Sequence, residues 1–370
     1  MGKILIIAHR GASAYEPENS LRAIETAIKL KADMVEVDIR KSKDGELVVI
    51  HDEFVDRVSD GKGFVKNLTL KRLKKLNLAL GEKIPTLKEV LSVVKGRVKL
   101  VVEVKSEGLE RKLVKLLEKE GMVEDVIISS FNHQTIKKIK ALNRKIACGI
   151  IFKCKPLNPP QQALDVEAEA VFPYHSYVSK DFVEKLHKEG LNVYAWTVDD
   201  VNRGRELIKS EVDGIVTNKP DIFTGVKLNL KRVFIAGPIQ GMEEKQAYRV
   251  KLKRIFKNLG FEVLDAWERE KVFYRFNGRL KPFPEGFIKR DLLDIGVSNL
   301  FVAYLPRLSA GTCMELFYAR NLGKPTLLIC KLKNPSPWIT SYSTRIFSSL
   351  NGLKIFLEKN LPKVLGPKKC

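Results

Sequence analysis

Two histidines in this sequence end apolar runs. Ile4–Ala8 gives way to His9, Arg10 and Gly11, and Leu47–Ile50 gives way to His51 and Asp52. An imidazole delivered to the end of a buried strand can take or give a proton near neutral pH. Glu36 and Asp38 stand two apart in the run Met34–Ile39. A strand there points both to one side, with their stems roughly 7 Å apart. Glu103 and Lys105 repeat the spacing at the end of Val98–Val104. Inside apolar runs such groups are costly unless paired or bound to something. Three carboxylates can converge on a hard divalent cation, Mg2+ or Ca2+. Such an ion, with Arg10 and Lys105, neutralises a phosphate and its developing charge, while two histidines serve as base and acid. That set is equipment for breaking a phosphate ester. Each residue also has a structural reading: a histidine that ends a strand, Asp38 as a cap or loop carboxylate, Glu103 and Lys105 as an interior ion pair. Their joint occurrence at successive strand ends favours the chemistry.

The elements that must position these groups alternate. Strand-like runs at 4–8, 34–39, 47–50, 98–104, 126–129, 146–151, 170–172, 192–197 and 214–217 are interleaved with helical patterns at 20–31, 86–94, 109–120, 134–142, 179–189 and 201–209. Such alternation predicts a parallel sheet, and the count suggests an α/β (β/α)8 TIM barrel. Nine runs compete for eight places. Leu47–Ile50 follows Met34–Ile39 closely enough to be its hairpin partner. In a barrel, polar residues at the carboxyl ends of strands meet at one mouth. Asn19 or Ser20 is expected to cap the first helix.

At 370 residues the chain is long enough for two domains. No apolar run approaches the ~20 residues of a membrane helix, and the first run is too short for a signal peptide, so a cytoplasmic protein is expected. The five cysteines form no CxxC pair, which favours free thiols over a disulfide framework or a zinc site. The net charge of +22 is uneven: residues 1–226 carry +6 and residues 227–370 carry +16. A basic second half can attract phosphates, nucleic acid or an anionic membrane surface, or can be a solvated lysine-rich surface. No basic-aromatic motif points to a specific nucleic acid.

Residues 4–223 resemble the glycerophosphodiester phosphodiesterase family. The stretches that carry the resemblance are HRGASAYEPENSL (9–21), EVDIRKSKDGELVVIHD (36–52), GEKIPTLKEVL (81–91), VEVK (102–105), AWTV (195–198) and DGIVTNKPD (213–221). The resemblance implies a TIM-type barrel, one divalent cation (Mg2+, Ca2+ or Mn2+) and hydrolysis of small glycerophosphodiesters to glycerol phosphate and an alcohol. By motif position it assigns His9 and His51 to acid–base work, Glu36, Asp38 and Glu103 to the metal, and Arg10 and Lys105 to the phosphate. Phe131 and Trp196 match positions that line the glycerol end; an aromatic there is otherwise a core residue.

After a linker, residues 224–230, a second unit begins, residues 231–370. The run Arg232–Ala236 enters Gly237-Pro238 and then a helical pattern at 243–258, a nucleotide-type βα unit without a GxGxxG. Strands are expected at 261–266, 300–305 and 326–330, and helices at 287–296 and from Ser309 to Leu322. Trp267 to Gly286 reads as an irregular basic and aromatic stretch, either a lid or a packed surface loop. Ser309-Ala310-Gly311-Thr312 at a helix start offers N–H groups and hydroxyls to an anion. Glu315 is placed in the first turn, where it is either catalytic or a favourable dipole partner. Residues 231–330 resemble the nucleoside 2-deoxyribosyltransferase superfamily, through RVFIAGPI (232–239), RDLLDIGVSNLFVAYL (290–305) and SAGTCMELFYARNLGKPTLLI (309–329). This implies a flavodoxin-like domain that cleaves N-glycosidic bonds of a nucleoside or deoxynucleotide. Glu315 matches its nucleophile, Asp291 a carboxylate that assists at the base, Ser309, Gly311 and Thr312 the ribosyl or phosphate contacts, and Gly237 a glycine that admits the ligand to the backbone. Phe234 and Asn299 depart from the tyrosine and aspartate usual there. The alternative is a non-catalytic nucleotide-binding or basic docking module.

Overall fold

The computed structural model describes residues 3–226, 231–268 and 284–365. The chain divides into two compact units, Met1–Leu228 and Asn229–Cys370.

In the first unit, nine strands form one sheet: β1 (Leu5–Ala8), β2 (Met34–Lys41), β3 (Leu47–Val49), β4 (Lys99–Val104), β5 (Val126–Ser130), β6 (Ala147–Phe152), β7 (Ala170–Pro173), β8 (Asn192–Ala195) and β9 (Gly214–Thr217). Eight are parallel, and pairing of β1 with both β2 and β9 closes them into a TIM-type barrel. The ninth, β3, pairs antiparallel with β2, Ile39 opposite Val49, and is accessory to the barrel. Helices α1 (Leu21–Lys29), α2 (Leu87–Val94), α3 (Glu110–Glu120), α4 (His133–Leu142), α5 (Pro159–Leu164), α6 (Lys180–Lys188) and α7 (Val201–Lys209) return the chain between strands. Ser20 caps α1 by accepting from Ala23 N, and Thr86 with Glu89 forms a capping box on α2. After β9 the chain makes a helical turn, Asp221–Thr224, ended by Gly225 at φ 72°. The short α5, opened by two prolines, has too few apolar positions to show a period.

Side-chain alternation divides the barrel into an outer core and an inner one. Val35, Val37 and Ile39 of β2 face the helices, with Ile24, Leu91 and Val102. Met34 turns inward with Ile7, Val101, Phe172, Tyr194 and Val216. Glu36 and Asp38 share the parity of Met34, Glu103 that of Val101, and His9 that of Ile7. The barrel interior is thus apolar at its base and ionisable at its carboxyl rim. The register places Asp38 beside Glu103.

The second unit is a five-stranded parallel sheet of β10 (Arg232–Ala236), β11 (Glu262–Asp265), β12 (Leu300–Leu305), β13 (Thr326–Cys330) and β14 (Arg345–Phe347), in the order β11-β10-β12-β13-β14. Its helices are α8 (Ala247–Asn258), α9 (Pro284–Val297), α10 (Ala310–Asn321), α11 (Pro337–Ser341) and α12 (Leu350–Leu365). Counted within the unit this is strand order 2-1-3-4-5, one of the two common doubly wound orders, whose ligands bind where the order reverses, here between β10 and β12. The core joins Val233, Ile235, Phe256, Val302, Ile329 and Leu353. Residues 243–245 form a 3-10 turn, and α8 starts only at Ala247. The aromatic residues Phe273, Tyr274, Phe276 and Phe283 of the irregular stretch lie outside the described residues.

One glycine decides the entry to the barrel mouth. Gly11 has φ +76°, and a Cβ there would stand 2.6 Å from the Ala23 carbonyl carbon, which is backbone and cannot yield. Gly11→Ala is expected to cost at least about 2 kcal/mol, from a left-handed φ and a backbone clash together. Urea unfolding of the two proteins measures it; an unchanged midpoint contradicts the assignment.

Candidate active site

Three carboxylates meet at the barrel's carboxyl rim. Oxygens of Glu36, Asp38 and Glu103 all lie within 4.8 Å of one another, and all three residues are buried. Two cations neutralise part of this charge. Arg10 Nε is 3.2 Å from Asp38 Oδ2, and Lys105 Nζ is 3.2 Å from Asp38 Oδ1 and 2.5 Å from Glu103 Oε1. Asn19 donates to Asp38 Oδ2 at 2.8 Å, and the Arg10 amide donates to Glu36 Oε2 at 2.8 Å. Both Arg10 and Asn19 hold left-handed backbone, φ 54° and 58°. For arginine this is a strained conformation that the surrounding bonds must hold, a feature common at functional sites.

Burial opposes every charge in this cluster, and the neighbours decide which survive. Burial, then Asp38 and Glu103, push the Glu36 carboxyl well up. Burial and Asp38 push Glu103 up to about 7. Asp38 is equally buried, but Lys105 and Arg10 beside it hold its carboxyl below the usual range. Glu36 Oε1 is buried and has no hydrogen-bond partner. A buried oxygen without a partner, beside two further carboxylates, fits a hard divalent cation.

His9 sits at the same rim, its Nε2 4.0 Å from Glu36 Oε2. Its Nδ1 is 2.8 Å from Asn218 Oδ1. Asn218 Nδ2 donates to Asp199 at 2.5 Å, which fixes the amide so that its oxygen faces the imidazole. His9 therefore carries its proton on Nδ1 and leaves Nε2 as acceptor. Burial and Arg10 lower its pKa to about 4, so it is neutral at pH 7. His51 follows β3; its carbonyl accepts from Arg40 Nε at 2.7 Å and its Nδ1 is 2.6 Å from Asp52 Oδ1. The fold thus brings His9, Arg10, Glu36, Asp38, Glu103 and Lys105 into direct contact, with His51 at the edge.

The family profile for glycerophosphoryl diester phosphodiesterases matches residues 9–222. The chain belongs to the glycerophosphoryl diester phosphodiesterase family. It is 40% identical over 232 residues to the glycerophosphodiester phosphodiesterase of Caldanaerobacter subterraneus subsp. tengcongensis, covering 59% of this chain and 96% of that protein. It is 33% identical over 254 residues to a Bacillus subtilis glycerophosphodiester phosphodiesterase, covering 61% and 87%. Among solved structures it is similar to an Oleispira antarctica phosphodiesterase in complex with the product sn-glycerol-3-phosphate. The TM-score is 0.56 at 27% identity, over 60% of this chain and 95% of that one. It is also similar to the Thermotoga maritima glycerophosphodiester phosphodiesterase, TM-score 0.53 and 26% identity over 61% and 100%.

In this phosphodiesterase-family barrel, Phe131 and Trp196 stand edge to face with centroids 5.6 Å apart, and Lys105 Nζ lies 5.9 Å from the Phe131 ring. The Phe131 ring is 47% exposed, which argues against a core role. Tyr174 extends the wall, 5.5 Å from Trp196. Sequence reading marked Asn19 only as a candidate helix cap, and Asn218 and Arg40 not at all. Asn218 carried the same signal as His9, a polar residue straight after a buried strand. Asn19 lay unremarked as a partner inside a helix-start motif.

In the second unit, Gly237, Asp291, Ser309, Gly311, Thr312 and Glu315 line one cavity of about 670 Å³, beside Trp338 and Tyr342. Those two rings stack at 6.0 Å with planes 16° apart. Ser309 caps α10, accepting from the Thr312 amide. Two expectations need correction. Glu315 is the sixth residue of α10, in its second turn, so a first-turn dipole role does not apply. The space a Cβ would take at Gly237 is filled by the Tyr248 hydroxyl, 2.2 Å away, so this glycine accommodates the protein's own tyrosine. Phe234 is fully buried, its ring stacked 6.0 Å from Phe301, and Asn299 Oδ1 accepts from the Arg232 amide.

Protonated carboxyls in the trio predict that cation uptake there is pH-dependent. A cation would bind ionised oxygens, and Glu36 and Glu103 hold protons at higher pH than free carboxyls do. Uptake must therefore expel protons, and affinity must rise as pH rises through about 7, up to tenfold per unit for each proton released. Titration calorimetry of chelator-treated protein with Mg2+ or Ca2+, in two buffers of different ionisation enthalpy, counts those protons. Affinity flat between pH 6 and 8 rules this out.

Proposed function

We propose that the barrel hydrolyses glycerophosphodiesters to glycerol phosphate and an alcohol. The observation that carries this reading is the trio of buried carboxylates at one rim, with two cations in contact and two histidines beside it. Residues 1–223 form the catalytic domain in this reading. Glu36, Asp38 and Glu103 hold a divalent cation, which when bound supplies Lewis-acid neutralisation of the phosphate. Arg10 and Lys105, now on Asp38 and Glu103, turn part of their hydrogen bonding to the phosphate oxygens. His9 Nε2, free to accept, takes the proton from the attacking water, or from the glycerol 2-hydroxyl, whose attack expels the alcohol and leaves a cyclic glycerophosphate that a water then opens to glycerol phosphate. His51 gives a proton to the leaving alkoxide, its Nδ1 side supported by Asp52. Phe131 and Trp196 pack on the carbon side of the glycerol. The family membership and the product-bound relative support the substrate class. The test is release of sn-glycerol-3-phosphate from a glycerophosphodiester by chelator-treated protein given Mg2+, Mn2+ or Ca2+. No turnover with any of the three defeats the reading.

A second reading concerns residues 231–370, favoured by one cavity that gathers all six predicted residues at the reversal of strand order. We propose a flavodoxin-like domain in which Glu315 attacks the anomeric carbon of a nucleoside or deoxynucleotide, Asp291 assists at the base, and Ser309, Gly311 and Thr312 hold the sugar or its phosphate. Release of free base by the full chain, lost in Glu315→Ala, supports it. Nucleotide binding without turnover points to a sensing module. Salt-dependent binding to anionic lipid or RNA, with no nucleotide affinity, points to a docking module.

A further inference from the structure

We propose that Arg57 and Asp52 are positioning residues for the diester hydrolysis, forming a clamp that holds the imidazole of His51 and the guanidinium of Arg10 toward one phosphate. The proposal rests on the phosphodiesterase reading of the barrel.

His51 needs such a device because no barrel strand carries it. It follows β3, which pairs with β2 alone and lies outside the eight-stranded ring. The segment after it packs on a small core of its own, Val48, Ile50, Val55, Val65, Leu73, Leu78 and Ile84, separate from the barrel interior. Arg40 holds the His51 carbonyl, but that bond leaves the ring free to turn. The ring is held by Asp52, whose Oδ1 is 2.6 Å from Nδ1.

Asp52 is held in turn by Arg57. Arg57 Nε donates to Asp52 Oδ2 at 2.6 Å and NH2 donates to Oδ1 at 3.1 Å. The other edge of the same guanidinium grips Glu18, NH1 to Oε2 at 2.6 Å and NH2 to Oε1 at 2.7 Å. Glu18 Oε1 also accepts from Arg10 NH1 at 3.0 Å, and Arg10 Nε reaches Asp38 at 3.2 Å. The result is an unbroken chain, His51–Asp52–Arg57–Glu18–Arg10–Asp38, joining the accessory hairpin to the turn after β1. A planar fork gives each of the two carboxylates a pair of fixed hydrogen bonds, a geometry that a lysine ammonium does not reproduce. The clamp keeps the Nδ1–H of His51 on Asp52, so that in the imidazolium form the second proton, on Nε2, faces the leaving oxygen of the substrate.

The test is a double-mutant cycle on hydrolysis of sn-glycero-3-phosphocholine. Arg57→Ala should lower kcat by about 10–100-fold, the loss typical of removing a partner that orients an imidazole, with KM and the thermal midpoint little moved. Arg57→Lys should fall almost as far, although it keeps the charge, and millimolar guanidinium should restore part of the Arg57→Ala rate. On a His51→Ala background the Arg57 substitution should cost clearly less, because the part of its effect that acts through the ring is already lost and only the part through Glu18 and Arg10 remains. Wild-type kcat in Arg57→Ala, or the same loss in both backgrounds, overturns the clamp. If His51→Ala itself leaves hydrolysis intact, it is the phosphodiesterase reading of His51 that has failed, and the clamp falls with it.

Discussion

Alanine at His9 or at His51 is expected to lower kcat for glycerophosphodiester hydrolysis by about 10²–10⁴-fold, the usual range for a lost acid or base, while the thermal midpoint stays within a few degrees. Both histidines stand at the rim, just past the ends of β1 and β3, and neither belongs to a hydrophobic core. The two losses should differ in how they respond to the leaving group. In the proposed mechanism His9 removes the nucleophile's proton, so its variant should be slow on every diester. In the same mechanism His51 protonates the departing oxygen, so its variant should recover on bis(4-nitrophenyl) phosphate, whose phenolate leaves without help. Steady-state kinetics on both substrates, with circular dichroism melts, decide this. Unchanged hydrolysis in both variants defeats the assignment, and recovery by the His9 variant alone exchanges the two roles.

The second large effect is on stability. Asp265→Ala should destabilise the second unit by about 3–5 kcal/mol, because it leaves a buried arginine uncompensated. Asp265 Oδ1 is 2.6 Å from Arg249 NH1, and both side chains are 2% exposed. Lys253 reaches the other oxygen at 2.7 Å. Arg249 also donates to the Ile235 and Gly237 carbonyls at 3.0 and 2.8 Å, so the turn that borders the cavity depends on the same charge. Replacing both partners with apolar side chains, Arg249→Met with Asp265→Leu, should recover much of the loss, since neither variant residue carries a charge to desolvate. Denaturant unfolding followed by protease cleavage within residues 231–365 reads this unit separately. A single variant that costs under about 1 kcal/mol shows that the pair is dispensable.

For the barrel, local pattern and local chemistry agreed. Apolar runs broken by His9, His51 and Glu103-Lys105 announced both strands and their functional ends, because a strand that must be buried leaves polar residues only where it emerges. The two-residue spacing of Glu36 and Asp38 determined that they share a side. In the second unit the strands and α10 were equally legible, and so were Ser309, Gly311, Thr312 and Glu315 as one motif. Phase within the helix was not: counted from Ala310, Glu315 is the sixth residue and falls in the second turn rather than the first. Strand β14 and helices α11 and α12 were passed over, being short or lacking a clean apolar period.

The sequence by itself determined the residue types, the strand parities and the alternation of strand with helix, since these depend on neighbours a few positions apart. Tertiary structure alone decided that β1 closes on β9, that Asp38 lies beside Glu103, and that Asn218 selects the tautomer of His9 across 209 positions of chain. It alone put Arg57 between Asp52 and Glu18, and the Tyr248 hydroxyl against Gly237. Apart from Arg57 with Asp52, five positions away, and Tyr248 with Gly237, eleven away, each of these is a contact between groups remote along the chain. Its existence depends on which surfaces the packed core brings together, and no local periodicity records that.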